Sequence, residues 1–248
     1  MRDYAAELEK RVRFIKKTLE NAKADGIVYG NSGGKDSALV GILCKKACGN
    51  TLGLMMPCFS KRNYEEDMKD AREVARQFAI SLRTVDLTET RQVFTDALRK
   101  AADLTQSAIA NIAPRLRMAA LYAVAASENR LVAGTGNRSE GYMGYFTKWG
   151  DGAYDFNPIA DLTVTEILEF LRFLNAPSAI IEKAPSAGLF DGQTDEKEMG
   201  ISYKSIDKFL LEGVASESEC ALLNRFHKNS EHKRQAPIVY SDKEGHEV

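Results

Sequence analysis

One stretch near the N-terminus, VYGNSGGKDSALVG over Val28–Gly41, constrains the fold more than any other part of the chain. A short apolar strand, Gly26–Gly30, leads into a loop of small residues and then into a predicted helix over Asp36–Ala47. Gly33 and Gly34 lack a Cβ atom, so the backbone can turn sharply and come close to an anion. The N–H groups and the dipole at the start of the following helix favour negative charge at the same place. The pattern therefore predicts a phosphate site at the end of a strand.

Apolar strands and amphipathic helices alternate through the first half of the chain, which predicts an α/β fold with a parallel sheet and helices on both faces. The predicted strands are Gly26–Gly30, Leu52–Met56, Ser81–Val85 and Leu131–Ala133. The predicted helices are residues 3–22, Asp36–Ala47, Asn63–Phe78, Glu89–Asp103, Ala108–Ser127, Thr163–Leu174, Pro177–Glu182, Tyr203–Leu211 and Glu217–His227. No repeat or linker divides the sequence, so we expect one domain over residues 1–248 with a flexible polar tail at 241–248.

Composition and charge exclude several classes of protein. The formal net charge is −1 over 248 residues, so no basic field recruits nucleic acid. No apolar run approaches the ~20 residues of a membrane-spanning helix, and the charged N-terminus lacks the apolar core of a secretory signal. The four cysteines form no C-x-x-C pair and have no histidine at zinc-site spacing. We therefore expect a reduced, cytoplasmic protein that uses neither membrane nor nucleic acid.

The loop Ser32–Ser37, SGGKDS, does not match the two most familiar nucleotide loops. The Walker A pattern requires Ser or Thr after Gly-Lys, but Asp36 stands there. The glycine spacing of the G-x-G-x-x-G pattern is absent as well. The alternative to a phosphate site is a glycine-rich turn with an aspartate cap. An aspartate beside phosphate would repel it unless the carboxylate holds Mg²⁺, which prefers oxygen ligands.

The loop after the fourth predicted strand provides a partner for Asp36. Parallel strands end at one edge of the sheet, so we expect the segments Asn31–Ser37, Pro57–Asn63 and Gly134–Glu140 to lie near each other. Glu140 could then complete a Mg²⁺ site with Asp36. The alternative for Glu140 is a solvated carboxylate at a helix start.

The motif S-G-G-x-D-S resembles the pyrophosphate loop of the ATP pyrophosphatase superfamily. Further stretches resemble the NAD synthetases within it: Asn111–Tyr122, Gly134–Leu162, Glu182–Asp207 and Glu231–Pro237. The resemblance extends over almost the whole chain, and the motifs occur in the family's order. It implies the Rossmann-like, adenine nucleotide alpha hydrolase-like fold of ATP pyrophosphatases.

The resemblance also implies roles for particular residues. For ATP they are Gly30, Asn31, Ser32, Gly33, Gly34, Lys35, Asp36, Ser37, Thr135, Val164 and Ser186. For deamido-NAD (nicotinic acid adenine dinucleotide) they are Arg115, Lys148, Asp155, His232 and Lys233. Asp36 and Glu140 are the implied Mg²⁺ ligands. The residue types alone leave Arg115 and Arg117 as alternatives, and by themselves Lys148, Asp155 and His232–Lys233 would be ordinary surface residues.

Two positions depart from the family pattern. Val164 stands where the family commonly has a lysine that contacts ATP phosphate, and Gly188 stands where an aspartate is common. Loss of a charge-assisted hydrogen bond costs about 1.5–3 kcal/mol if nothing replaces it. One hypothesis is that Lys35, in the variable position of the loop, replaces that phosphate contact.

The activity implied by the resemblance is the last step of NAD biosynthesis. ATP activates deamido-NAD as an adenylate, and ammonia then converts the adenylate to NAD. We expect ammonia as the direct nitrogen donor, with a separate glutaminase as one source, because the chain has no room for an attached glutaminase domain. A homodimer is expected, since the family's Lys148 contact comes from the other subunit. Residues Pro185–Gly200 would form a mobile loop over the site.

Two rival interpretations come from other classes. A tRNA-modifying ATP pyrophosphatase would need a basic face for RNA. A nucleotide-binding regulator would have kept the loop and lost turnover. The only sequence features that favour this interpretation are Val164 and Gly188.

Overall fold

A computed structural model describes residues 2–58, 67–183 and 195–240 of the chain. The strands are β1 (Gly26–Gly30), β2 (Thr51–Met55), β3 (Ser81–Thr84) and β4 (Arg130–Ala133). The helices are α1 (Tyr4–Ala22), α2 (Lys35–Ala47), α3 (Met68–Gln77), α4 (Thr88–Arg99), α5 (Gln106–Ala110), α6 (Ile112–Ser127), α7 (Arg138–Met143), α8 (Val164–Phe173), α9 (Ser178–Glu182), α10 (Asp195–Met199), α11 (Tyr203–Glu212) and α12 (Glu217–Asn229). Within these ranges no helix is long and apolar enough to cross a membrane.

The four strands form one parallel sheet in the order β3-β2-β1-β4. Strands β1, β2 and β3 therefore follow one another toward one edge of the sheet, and β4 pairs with the other side of β1. In register, Gly30 lies opposite Leu54 and Tyr29 lies opposite Ala133, so β1, β2 and β4 end at one edge. The strand order reverses its direction at β1, which lies between β2 and β4, and ligands bind at such a point in open parallel sheets.

Apolar layers cover both faces of the sheet, because successive side chains of a strand point to opposite sides. Ile27 and Tyr29 of β1 pack into a buried cluster with α1, α2 and α8. Val28, between them, packs into a second cluster with residues of β2 and α6. A third cluster joins α7, α8, α11 and α12 beyond the β4 edge.

The predicted strands and the parallel sheet with helices on both faces are confirmed. The predicted helix Ala108–Ser127 is instead two helices, α5 and α6, which meet at Asn111. Helices α7 and α10 were not predicted, and α10 occupies part of the segment expected to be a mobile loop. The start of the predicted helix Asn63–Phe78, the ATP residue Ser186, the departure at Gly188 and the tail 241–248 lie outside the described residues.

Candidate active site

A cavity of about 660 Å³ opens at the carboxyl ends of β1, β2 and β4. Its wall includes the loop after β1, the loop after β4 and the N-terminal part of α6, and Lys183 and Asp195 also contribute. The topology therefore brings together the two loops that the sequence singles out, although about a hundred residues separate them.

The loop after β1 is held in shape by its own polar groups. The backbone N–H of Asn31 donates to Leu54 in β2 (3.0 Å), and the side chain of Asn31 accepts from the N–H of Gly33 (3.3 Å). The hydroxyls of Ser32 and Ser37 are hydrogen-bonded to each other (3.1 Å), and Ser37 also donates to the carbonyl of Gly34 (3.0 Å). These bonds fix the loop around a concave backbone.

Gly33 makes the turn of this loop possible. Its φ is +72°, in the left-handed region that favours glycine. A Cβ atom at this position would also collide with the backbone carbonyl of Asp67, at the start of α3. Gly33 is therefore required both by its conformation and by the close approach of a second segment.

Helix α2 begins in this loop without a side-chain cap. Gly34 is its N-cap residue, and among the described residues the helix start has no side-chain cap hydrogen bond. The first N–H groups of an α-helix have no partner within the helix. Lys35, Asp36 and Ser37 of this first turn line the cavity, so the helix start can bind an anion such as a phosphate group.

Asp36 and Glu140 approach the cavity from the two loops, and Asn137 connects them. The side-chain amide of Asn137 donates to Asp36 Oδ1 (3.1 Å), and its backbone N–H donates to Glu140 Oε2 (3.0 Å). Asn137 also caps α7 by accepting from the N–H of Glu140 (2.9 Å). Burial, and then the negative charge of Asp36, raise the pKa of Glu140 well above its ordinary value. Two carboxylates are thus held close together and would be stabilised by a cation.

Lys35 lies in the same corner. Its ammonium contacts Asp36 Oδ2 (2.8 Å), and the residue is only 7% exposed. Burial disfavours the ammonium, but the charges of Asp36 and Glu140 outweigh this effect and raise the pKa of Lys35. The ring of Tyr203 lies 5.6 Å from the ammonium, and the Tyr203 hydroxyl donates to the buried Asp195 (3.0 Å). Helix α11 therefore covers the lysine from the far side.

The donor set of this corner fits Mg²⁺. Magnesium is commonly bound by one or two carboxylates, with substrate phosphates and water completing its shell. Asp36 and Glu140 supply two carboxylates beside a phosphate-binding loop. No group of three or more His, Cys, Asp or Glu side chains suited to a metal occurs in residues 2–58, 67–183 and 195–240. The phosphates of a nucleotide would therefore have to supply further ligands.

Three predicted residues form a connected group outside the cavity wall, here called the outer group: Arg115, Lys148 and His232. The Arg115 guanidinium donates to the carbonyl of Lys148 (3.3 Å), and the Lys148 ammonium donates to the carbonyl of His232 (2.7 Å). Lys233, next in the chain, lies in the cavity wall and donates to the carbonyls of Gly144 (2.8 Å) and Phe146 (2.9 Å). Through Lys233, the outer group is thus connected to the cavity wall.

Asp155 lies apart from the outer group. Its carboxylate accepts from the N–H of Val132 in β4 (2.7 Å) and from the hydroxyl of Tyr122 in α6 (3.1 Å). Burial raises the pKa of Tyr122 to about 12, and the neighbouring Asp155 adds to this effect. The carboxylate is exposed, and its position is fixed from two sides.

A comparison with known proteins gives the family. A family model described as NAD synthase matches residues 7–237. The NH(3)-dependent NAD(+) synthetase of Carboxydothermus hydrogenoformans is 47% identical over 240 residues, which cover 96% of this chain and 98% of that protein. The chain belongs to the NAD synthase family.

Two solved structures that resemble this chain agree with this assignment. The structure of NMN synthetase from Francisella tularensis is 37% identical, with a TM-score of 0.91, and the match covers 97% of this chain and 99% of that one. The NH3-dependent NAD synthetase of Campylobacter jejuni, in complex with nitrate, is 31% identical with a TM-score of 0.77, covering 97% of this chain and 100% of that one. The predicted family, the ATP pyrophosphatase fold, the NAD synthetase activity and the ligase class are confirmed. Enzymes of this family use ATP and deamido-NAD.

The described residues that the resemblance assigns to ATP fall into three sets. The cavity wall contains Gly30, Asn31, Ser32, Gly34, Lys35, Asp36, Ser37 and Thr135. Gly33 shapes the loop behind them. Val164 is placed elsewhere, because its side chain is buried in the third apolar cluster and its N–H donates to the hydroxyl of Ser139 (3.3 Å).

Several residues of the cavity were missed from the sequence. Lys183 lies in the wall and forms ion pairs with Asp67 (2.8 Å) and Asp70. Asp195 lies in the cavity wall and Tyr203 lies beside Lys35; both belong to the stretch Glu182–Asp207 that carries the resemblance, but neither residue was singled out from the sequence. Arg117, the alternative to Arg115, lines the cavity and donates to the carbonyl of Met56 (3.1 Å), whereas Arg115 is exposed outside it.

Proposed function

We propose that this NAD synthase amidates deamido-NAD with free ammonia, at the expense of ATP, and releases NAD, AMP and pyrophosphate. One observation carries the proposal: the uncapped start of α2 and the carboxylates of Asp36 and Glu140 line the same cavity. A helix start binds the phosphates, and a carboxylate pair binds the cation that phosphates need. The 47% identical relative, of which this chain covers 98%, is named as NH(3)-dependent.

In this proposal the phosphate loop holds the β- and γ-phosphates of ATP. The N–H groups at the start of α2 and the hydroxyls of Ser32 and Ser37 donate to them, and Thr135 contacts the nucleotide from the loop after β4. Asp36 and Glu140 would hold Mg²⁺, which would supply positive charge beside the phosphates. The protein thus acts by positioning and charge neutralisation, and it needs no covalent nucleophile.

The reaction has two steps. First, a carboxylate oxygen of the nicotinate group attacks the α-phosphorus, the bond to the bridging oxygen breaks, and pyrophosphate leaves. Second, ammonia attacks the acyl carbon, the acyl–oxygen bond breaks, AMP leaves, and the nitrogen loses a proton to form the amide. Lys233 extends from the outer group into the cavity wall, so it can bind the negative charge of the dinucleotide near the reacting carboxylate.

A homodimer is part of the proposal. Arg115 borders an apolar cleft of about 450 Å³ between α4, α5 and α6, which Phe94 and Leu98 also line. Val93 and Phe94 expose large apolar side chains beside it, at 69% and 46%. A second copy that covered this cleft would bury the apolar residues and close the outer group around the dinucleotide.

The Phe94→Glu variant tests the dimer, and Phe14→Glu is a matched control because Phe14, on α1, is exposed to the same degree (47%). We expect light scattering to show a dimer for the unaltered protein and for Phe14→Glu, and a monomer with a raised KM for deamido-NAD for Phe94→Glu. A monomeric unaltered protein would contradict this part of the proposal.

The activity itself is tested with ATP, Mg²⁺, deamido-NAD and ammonium. NAD is measured by its reduction with an added dehydrogenase, and AMP and pyrophosphate are measured separately. We expect equal amounts of NAD, AMP and pyrophosphate. ADP and phosphate as products, or no NAD with ammonium, would contradict the proposal.

A second candidate is the same amidation on nicotinic acid mononucleotide. The observation that favours it is the NMN synthetase structure, which fits this chain with a TM-score of 0.91, against 0.77 for the Campylobacter NAD synthetase. The assay therefore includes a parallel reaction with the mononucleotide. The larger kcat/KM of the two identifies the substrate.

A further inference from the structure

Lys35 occupies the one variable position of the SGGKDS loop, and the structure gives it an unexpected environment. A lysine in a phosphate loop is expected to point at the phosphates, as the sequence hypothesis above assumed. Instead its ammonium contacts Asp36 Oδ2 at 2.8 Å, and the ring of Tyr203 lies over it. Asp36 and Glu140 are the two residues that the proposed function assigns to the metal.

The hydrogen bonds of Asp36 show what a metal would have to replace. Asn137 donates to Oδ1, and Lys35 donates to Oδ2. Asn137 is fixed at both ends, since its backbone N–H and its side-chain oxygen belong to the capping box of α7. Lys35 is attached by a flexible four-carbon chain and can move away. A divalent cation on Asp36 would lie beside the ammonium, and like charges at this range repel each other strongly in a buried site.

We propose that Lys35 is the built-in counter-ion of the metal site: its ammonium neutralises Asp36 and Glu140 when no metal is bound, and the metal displaces it. This inference rests on the metal site of the proposed function. Its consequence is a site that stays folded without metal and binds a bare divalent cation weakly. A divalent metal would therefore enter together with the phosphates of ATP, whose negative charge offsets the positive charge that the metal adds beside Lys35.

Direct metal binding tests the proposal. Mn²⁺ serves as the probe, because electron paramagnetic resonance measures free Mn²⁺ in the absence of nucleotide. We expect Lys35→Met to bind Mn²⁺ about ten-fold more tightly than the unaltered protein. The matched control is Lys183→Met, which removes another lysine of the same cavity that is paired with Asp67 and Asp70 and not with the metal ligands. Its Mn²⁺ affinity should equal that of the unaltered protein.

Two further variants keep the test decisive. Lys35→Met combined with Asp36→Asn should lose the gain in affinity, which shows that the gained site is the carboxylate pair. Lys35→Gln repeats the measurement if the methionine variant does not fold. Without metal, Lys35→Met should melt at a lower temperature than the unaltered protein, and Mg²⁺ should raise its melting temperature more.

Unchanged or weaker Mn²⁺ binding by both Lys35 variants overturns the proposal, as does an equal gain in Lys183→Met. Weaker binding of inorganic pyrophosphate with unchanged Mn²⁺ binding would assign Lys35 to the phosphates and likewise overturn it. These measurements use no deamido-NAD or ammonium. Failure to form NAD would contradict the proposed function, but the Mn²⁺ result would still decide the role of Lys35.

Discussion

The phosphate loop and the outer group are both polar, but they are built in different ways. The loop residues are largely buried and are held by short-range bonds, such as those of Asn31, Ser32 and Ser37 to their neighbours. The outer group is more exposed and is held by long side chains that donate to backbone carbonyls, as Arg115 and Lys148 do. The loop is complete within one chain, whereas the outer group borders an open apolar cleft. In the proposed function, accordingly, one copy binds the phosphates and two copies bind the dinucleotide.

The largest expected effect lies on the loop side. Asp36→Asn keeps the shape of the side chain and removes the charge that the metal needs. We expect kcat for NAD formation to fall by at least about 10²-fold. Glu198→Gln, a neutralised carboxylate elsewhere in the cavity wall, is the control and should retain most of the activity. A near-normal kcat in Asp36→Asn would contradict the assignment of Asp36 and Glu140 as metal ligands.

Gly33→Ala sharpens the comparison by straining the loop backbone. Its φ of +72° and the nearby carbonyl of Asp67 both oppose a Cβ atom. We expect the free energy of unfolding to fall by about 1–3 kcal/mol and the KM for ATP to rise. Gly136→Ala is the matched control, because a Cβ there meets no atom within 4 Å. Equal stability losses for the two variants, by urea denaturation, would contradict a special role for Gly33.

Arg115→Ala tests the other region. Arg115 is exposed, and within the described part of the chain its hydrogen bonds are long ones to one backbone carbonyl, so its loss should leave the melting temperature unchanged. We expect the KM for deamido-NAD to rise about ten-fold, because a charge-assisted contact is lost, with the KM for ATP unchanged. The control is Arg99→Ala, an exposed arginine paired with Asp96 on α4. A rise in the KM for ATP alone would contradict the assignment of ATP to the phosphate loop and of deamido-NAD to the outer group.

The smallest expected effect concerns Asp155. Tyr122→Phe removes one of its two hydrogen bonds and leaves the one from Val132. Loss of a single hydrogen bond at an exposed carboxylate costs about 0.5–1 kcal/mol, so the KM for deamido-NAD should rise only a few-fold. Steady-state kinetics measure it. A loss as large as that of Arg115→Ala would mean that Tyr122 itself contacts the substrate.

The parts of the fold that follow from local sequence were predicted correctly. Strand β1 was predicted with its observed ends, and α2 begins one residue earlier than predicted, because an apolar run and paired glycines are signals contained in a few residues. The break at Asn111 was missed because helical periodicity continues through it. Helix α7 has only six residues, but Asn137 and Glu140 have the spacing of a capping box, and this signal could have revealed its start.

The sequence predicted the site residues that follow strands, because the carboxyl ends of parallel strands lie at one edge of the sheet. That rule placed Glu140 near Asp36 without any distance information. It could not place Lys183 and Asp195, which lie in the cavity wall at the end of α9 and the start of α10, or Tyr203 of α11, whose ring lies 5.6 Å from the Lys35 ammonium. Val164 shows the same limit, since only the structure reveals that its side chain belongs to an apolar cluster.

The hydrogen bond from Asn137 to Asp36 joins residues 101 positions apart in the sequence. It can form only after β4 has been synthesised and has paired with β1, whereas the phosphate loop leaves the ribosome long before. The nucleotide site is therefore a late product of folding, and a ligand that bridges both loops binds only the chain in which β4 has docked. Such a ligand at a hundred times its Kd would stabilise that pairing by about 2.7 kcal/mol. In the cell, the supply of substrate would thus help to determine how much of this chain survives as native protein.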